Sequence, residues 1–292
     1  MRISTTIFAL IIPLITFGQI NNTVFLKWKI NQNEILTYKT VMEEIDTATF
    51  QDISMDFGGL FNLLNDSANG KISEVKKIFS KINKSLRDND LITNLTLNRK
   101  GFIDIAMSMK EKNDKLSNKN DTADSENKFT ELMKMMTDEV MLRGAIYDNG
   151  SIQSFYVQND QKNLIAMFFE LPNRQIKIGD SWSLDINLIS MDQNFKCDTA
   201  SRKNYVTLID LKKVANETIA VIKYDIMEYV LGDFNNPFAG SNKKTMMRMT
   251  YNAIAEFSID KGRWSSYDGI MSLSASGIMT TSTTKKFALI TQ

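Results

Sequence analysis

The chain has 292 residues, 43% hydrophobic and 24% charged, which fits a globular protein of one large or two modest domains rather than a disordered one. Its 35 Lys and Arg nearly balance 34 Asp and Glu, so no charge excess points to nucleic acid or an anionic membrane. With no histidine and a single cysteine, Cys197, the chain alone cannot build Ser-His-Asp or Cys-His catalysis, a His-ligated metal site, an internal disulfide or a Cys-rich zinc site.

Residues 1–19 read as a signal peptide. Arg2 is the positive start, residues 7–17 form an apolar run too short to span a bilayer, and Thr16, Gly18 and Gln19 stand near the cleavage point. No cysteine follows to carry a lipid anchor, and no later apolar run approaches membrane-spanning length. The expectation is export, as a soluble protein of the periplasm or the medium, without a transmembrane segment. Removing the leader loses only Arg2 and leaves positive and negative side chains equal in number. Cys197 is expected to be buried, since a free thiol packs as a small hydrophobe.

In the mature chain, Val24, Leu26, Trp28 and Ile30 alternate with polar or outward positions, and Leu36, Tyr38, Thr40 and Met42 resume the alternation after Asn31-Gln32-Asn33. That pattern predicts a hairpin, with a third strand near 48–55. A short helix is expected at 60–64. A clearer helix is expected over 73–87, with Val75, Ile78, Phe79, Ile82 and Leu86 on one face and a solvated basic face opposite. Strands at 91–97 and 102–109 join through 98–101, and the polar run 110–126 reads as an exposed loop. Helical spacing resumes at 126–136. A hairpin over 139–158 turns on Asp148-Asn149-Gly150, and a helix at 160–170 ends before Pro172.

Residues 171–183 form a joint. After it, strands are expected at 182–189, 205–214, 218–229, 245–259, 264–279 and 287–290, with 190–204 irregular and a loop at 233–242. The turn form Asp/Asn-x-(x)-Gly recurs at Gly101, Gly150 and Gly262, as separate hairpins produce without duplication. The expected fold class is α+β: mainly antiparallel sheet, with three or four helices concentrated in the N-terminal part. Residues 20–174 form a mixed part and 175–292 a mostly stranded part, packed as one unit.

Little in the sequence carries catalysis. A lysine stands three residues after Ser73, Ser125, Ser241, Ser258 and Ser282, too often to be specific. Asp180, Asp210, Asp225, Glu228 and Glu256 lie in or beside strands and could form a carboxylate pair, which a glycosidase needs across a cleft. Residues 65–70 echo a calcium loop, but Lys76 stands where its closing acid belongs. The 17 methionines include Met133, Met136, Met247 and Met249, which fit apolar faces better than a copper site. On the long strand, Met247, Met249, Tyr251 and Phe257 share a face and are the candidate ligand-binding residues.

The early Trp-Lys-rich strand, the Lys-Ile-Gly-Asp-Ser-Trp run at 177–182 and the Asp-Lys-Gly-Arg-Trp hairpin at 260–264 resemble a group of uncharacterised exported bacterial β-rich proteins, classed as a domain of unknown function. The similarity covers most of the mature chain. It implies export and a β-rich fold, and supplies no activity, cofactor or site residue. The leading expectation is a non-enzymatic exported protein that binds a hydrophobic small molecule or lipid in a groove on a curved sheet, without metal or cofactor. The alternatives are a structural or protein-interaction module of the cell envelope and a carboxylate-based hydrolase.

Overall fold

A computed structural model describes residues 23–45, 89–111, 140–156, 159–189, 195–236, 241–277 and 280–292. In chain order the elements are β1 (Ile35–Glu44), β2 (Asn89–Leu97), β3 (Ile103–Glu111), β4 (Val140–Ile146), β5 (Ile152–Tyr156), α1 (Asn159–Phe169), β6 (Ser181–Trp182), β7 (Phe195–Val214), β8 (Glu217–Asn236), β9 (Ser241–Ser258), β10 (Arg263–Ser276) and β11 (Thr281–Thr291). The strands form one antiparallel sheet in the order β5-β4-β3-β2-β1-β11-β10-β9-β8-β7-β6. Strands from both sides of the 171–183 joint therefore share a single sheet.

The α+β expectation is overturned. The architecture is nearly all antiparallel sheet, with α1 the one helix among the described residues. The reason lies in the apolar period, which is two along almost every described segment, so each strand buries one face only. The helix expected at 160–170 is α1. Those expected at 60–64, 73–87 and 126–136 lie outside the described residues, as does the strand near 48–55.

The sheet is strongly curled, and backbone bonds prove it. Trp28 N–H donates to Asp148 O in the β4–β5 turn (2.7 Å), while the next amide, Lys29 N–H, donates to Gly262 O in the β9–β10 turn (3.0 Å). Laid flat, those turns would lie six strand spacings apart, or about 29 Å. Two consecutive amides hold them within about 10 Å of each other. Residues 24–30 thus cross one end of the curl as a strap, anchored further by Val24 and Ile176 exchanging backbone bonds. This corrects the expected hairpin. Leu26, Trp28 and Ile30 are buried in alternation as anticipated, but the amides of Trp28 and Lys29 bond to turns rather than to β1.

The helix bridges the other gap. It starts three residues after β5 ends, yet its Lys162 and Asn163 bind Asp185 and Asn187, which run beside β7 near the opposite edge. An 11-residue helix is about 16 Å long, so both edges of the curl approach it. Its C-terminal carbonyls, which no helix can satisfy internally, point into the core. Trp28 Nε1 takes Phe169 O (2.8 Å), Trp264 Nε1 takes Phe168 O (2.7 Å), and the Tyr267 hydroxyl takes Met167 O (2.8 Å). Around them Trp28, Tyr38, Phe168, Phe169, Phe257, Trp264, Tyr267 and Phe287 pack mostly edge to face. Each fully buried large side chain contributes roughly 1.5–3 kcal/mol.

Three further expectations change. Of the strand expected at 182–189 only Trp182 is paired; Leu184, Ile186 and Ile189 are buried, and side chains of α1 and β7 hold the backbone there in place of a ladder. Residues 195–204, read as irregular from their polarity, belong to β7, whose outer half is solvent-exposed and so needs no apolar face. Cys197 lies in that half and is exposed, not buried. Among the described residues, no helix is long and apolar enough to cross a membrane.

Gly101 and Gly150 both hold positive φ, at 83° and 78°, in hairpin turns. Their surroundings differ. A Cβ at Gly101 meets open space, whereas one at Gly150 would lie 1.7 Å from Phe169 O. Gly101→Ala should therefore cost about 1–2 kcal/mol in urea unfolding, from the left-handed conformation alone. Gly150→Ala should cost clearly more, because the turn must move off the helix end. Equal losses would show that the turn does not press on α1.

Candidate functional site

The inner face of the curl, covered by strap and helix, divides along the strands. At the strapped end, Phe257 is fully buried against Trp28 (ring centroids 5.4 Å) and Trp264 (5.0 Å). Midway, Tyr251 stacks on Phe287 (5.0 Å, 13° between planes) and hydrogen-bonds Tyr267. Tyr224 touches both tyrosines, at 6.0 and 5.3 Å. Towards the far end, Met247 and Met249 are only partly buried and pack on Ile189, Phe195 and Val230, with Phe234 alongside, as a second apolar cluster.

The four sequence-predicted residues thus share one face, as the alternation requires, but not one site. Ten residues of strand separate Met247 from Phe257, about 33 Å. Tyr251 and Phe257 are core. Met247 and Met249 stand at the less filled end, in register with Val230 and Glu228 on β8 and with Ala275 and Leu273 on β10.

The second cluster is roofed by residues 183–189, held almost wholly by side chains. Asn204 imitates a strand: its Oδ1 accepts Leu184 N–H (3.1 Å) and its Nδ2 donates to Leu184 O (2.8 Å). Asn163 does the same for Asn187 from the helix, at 3.0 and 2.7 Å. Glu170 accepts Asp185 N–H (3.2 Å), and burial pushes its carboxyl up despite that bond. Glu228, buried, accepts Ile189 N–H (2.8 Å) and faces Arg202 Nε (3.2 Å), while Arg202 Nη2 donates to Ile186 O. Sequence reasoning weighed Glu228 only as an acid and missed Arg202 and Asn204, which lie in the segment read as irregular.

The carboxylates considered for hydrolysis do not converge. Asp180 pairs with Arg174, Asp225 with Lys203, Glu228 with Arg202 and Glu256 with Lys212, while Asp210 accepts Leu211 N–H. Two adjoining depressions of about 350 and 300 Å³ lie by the β2–β3 turn and the β4–β5 edge, and one of about 340 Å³ lies by Ile254 and Ile270. Asp104 is the one carboxylate of the first two and Asp268 of the third, so none supplies the pair that glycoside hydrolysis uses. Among the described residues, no three His, Cys, Asp or Glu side chains gather as a metal site.

Compared with protein-family models, with curated proteins and with solved structures, the chain finds no match.

Burial raises the hydroxyls of Tyr38, Tyr224, Tyr251 and Tyr267 above their ordinary range. A raised folded value gives stability that is present below the unfolded value, near 10, and is lost as pH climbs beyond it. Each group removes about 1.4 kcal/mol per pH unit above 10. In an alkaline titration, tyrosinate absorbance from these four should appear together with loss of near-ultraviolet dichroism. Full ionisation of all eight tyrosines in a chain that stays folded would contradict their sealed packing.

Proposed function

We propose that this chain is an exported, non-enzymatic protein that binds a hydrophobic ligand on the methionine-bearing half of its curled sheet. The observation that carries the reading is the uneven filling of one apolar face. The strap and the helix end fill the strapped half with fully buried aromatic rings. The face continues beyond them through Met271, Leu273, Met249 and Met247, all only partly buried. Methionine suits such a surface, because three rotatable bonds and a polarisable sulfur adapt to apolar shapes without fixing one.

The export half of the reading is supported by the leader pattern of residues 1–19 and by the resemblance of the mature chain to exported β-rich proteins. The non-enzymatic half is supported by the absence of histidine and by the ion-paired carboxylates.

The test uses the neutral fluorescent probe N-phenyl-1-naphthylamine with the mature chain. Probe fluorescence should rise on binding. Met247→Asp with Met249→Asp should weaken binding about tenfold or more, since a charge placed in an apolar site costs more than 1.4 kcal/mol. The double variant should keep the cooperative unfolding of the parent. No fluorescence change, together with no co-purifying apolar molecule in native mass spectrometry, would overturn the reading.

A further inference from the structure

We infer that Arg202 selects the ligand of this inner face, and that the ligand is a single-chain amphiphile with an oxyanion head, a carboxylate or a phosphate. The inference rests on the binding reading above and adds its chemical class. Arg202 on β7, Glu228 on β8, Met249 on β9 and Leu273 on β10 stand in register across four strands. One row therefore runs from a cation, through its counterion, onto the partly buried apolar surface.

The guanidinium is fixed on one side and open on the other. Nε faces Glu228 Oε1 at 3.2 Å, and Nη2 donates to Ile186 O. The hydrogen bond to Ile186 O, with the Glu228 charge alongside, holds that side of the fork. Nη1 has no partner among the described residues, and half of the side chain is exposed. A planar fork offers five donors and matches carboxylate and phosphate oxygens in pairs, so the free edge is shaped for an oxyanion. Glu228 is not displaced, because it holds Ile189 N–H as well and is itself buried. One guanidinium then bridges two anions: an internal one that orients it and an external one that it binds. The chain of the ligand would run from Arg202 across Met249 and Met247, beside Phe195 and Val230.

A head-group series at constant chain length tests this. Dodecanoate, dodecyl phosphate, dodecanol and dodecyltrimethylammonium, each below its aggregation limit, compete with the bound neutral probe. The carboxylate or the phosphate, or both, should displace it at about tenfold lower concentration than the alcohol, with the ammonium weakest. Which of the two oxyanions is preferred then identifies the natural head. Arg202→Gln and Arg202→Lys should both erase the preference, the second because it keeps the charge and loses the fork. Lys203→Gln, which removes the neighbouring cation from the opposite face of β7, should retain it. If the alcohol or the ammonium binds within threefold of the better oxyanion, or if Arg202→Gln keeps the preference, the inference fails while probe binding still stands. Absence of probe binding to the parent defeats the apolar-site reading instead.

Discussion

The fold depends on how the end of one helix is satisfied inside a sheet. The last carbonyls of a helix have no internal partners, and an unpaired buried carbonyl costs about 1–3 kcal/mol. Here Met167, Phe168 and Phe169 present three such carbonyls to the interior of the curl, and Tyr267, Trp264 and Trp28 each supply one donor. The donors come from aromatic side chains, so the same three residues also bring the largest apolar surfaces to that point. Capping and core formation are one event. A sheet that failed to curl could not bring β10 and residues 24–30 to the helix end together.

Trp28 links this cap to the closure of the curl. Its ring donates to Phe169 O while its backbone amide donates to Asp148 O, and Lys29 beside it reaches Gly262 O. The β4–β5 turn serves both sides, because Asn149 O also accepts Leu171 N–H just after the helix. Charges reinforce the join at the surface, where Lys27 pairs with Asp148 and Arg263 with Glu34. The first pair is exposed, a kind worth roughly 0–1 kcal/mol, and the second is half-buried, so the backbone bonds and the aromatic packing decide the geometry. Closure is thus concentrated at one end of the strands, and the second apolar cluster lies away from it, roofed by residues 183–189.

Much of this architecture was legible in the alternation of side chains. The long strands ending near Ser258 and starting near Arg263, the turn at Gly262 and the shared face of Met247, Met249, Tyr251 and Phe257 all follow from period two. The helix before Pro172 followed from its spacing. What alternation reports, however, is burial and not the identity of the hydrogen-bond partner. Leu26, Trp28 and Ile30 alternate because one side of the segment faces the core, and that holds equally for a strap and for a strand. Residues 183–189 misled in the same way. In β7 the error was opposite. Residues 196–201 are exposed on both sides, so a true strand lacked the signal that betrays strands.

The site was half legible for a related reason. The methionines announced themselves by composition and phase, while Arg202 and Asn204 matter through partners far along the chain, at Ile186, Glu228 and Leu184. Ile186 and Leu184 belong to a segment that lies against β7 without joining its ladder. Side-chain bonds can hold a backbone beside a strand while leaving the spacing wider than a ladder allows. Asn204 and Arg202 use that freedom to carry residues 184–189 over the inner face rather than along the edge. The edge of β7 is thereby partly covered, as an exposed strand edge requires, and the covering segment delivers Ile189 onto Met247, Met249 and Val230. The residues that manage the edge of the sheet are therefore the ones that shape the candidate site. A charge at position 202 could satisfy the edge from any orientation. The hydrogen bond to Ile186 O and the charge of Glu228 hold one side of its fork, in the cross-strand row that leads on to Met249.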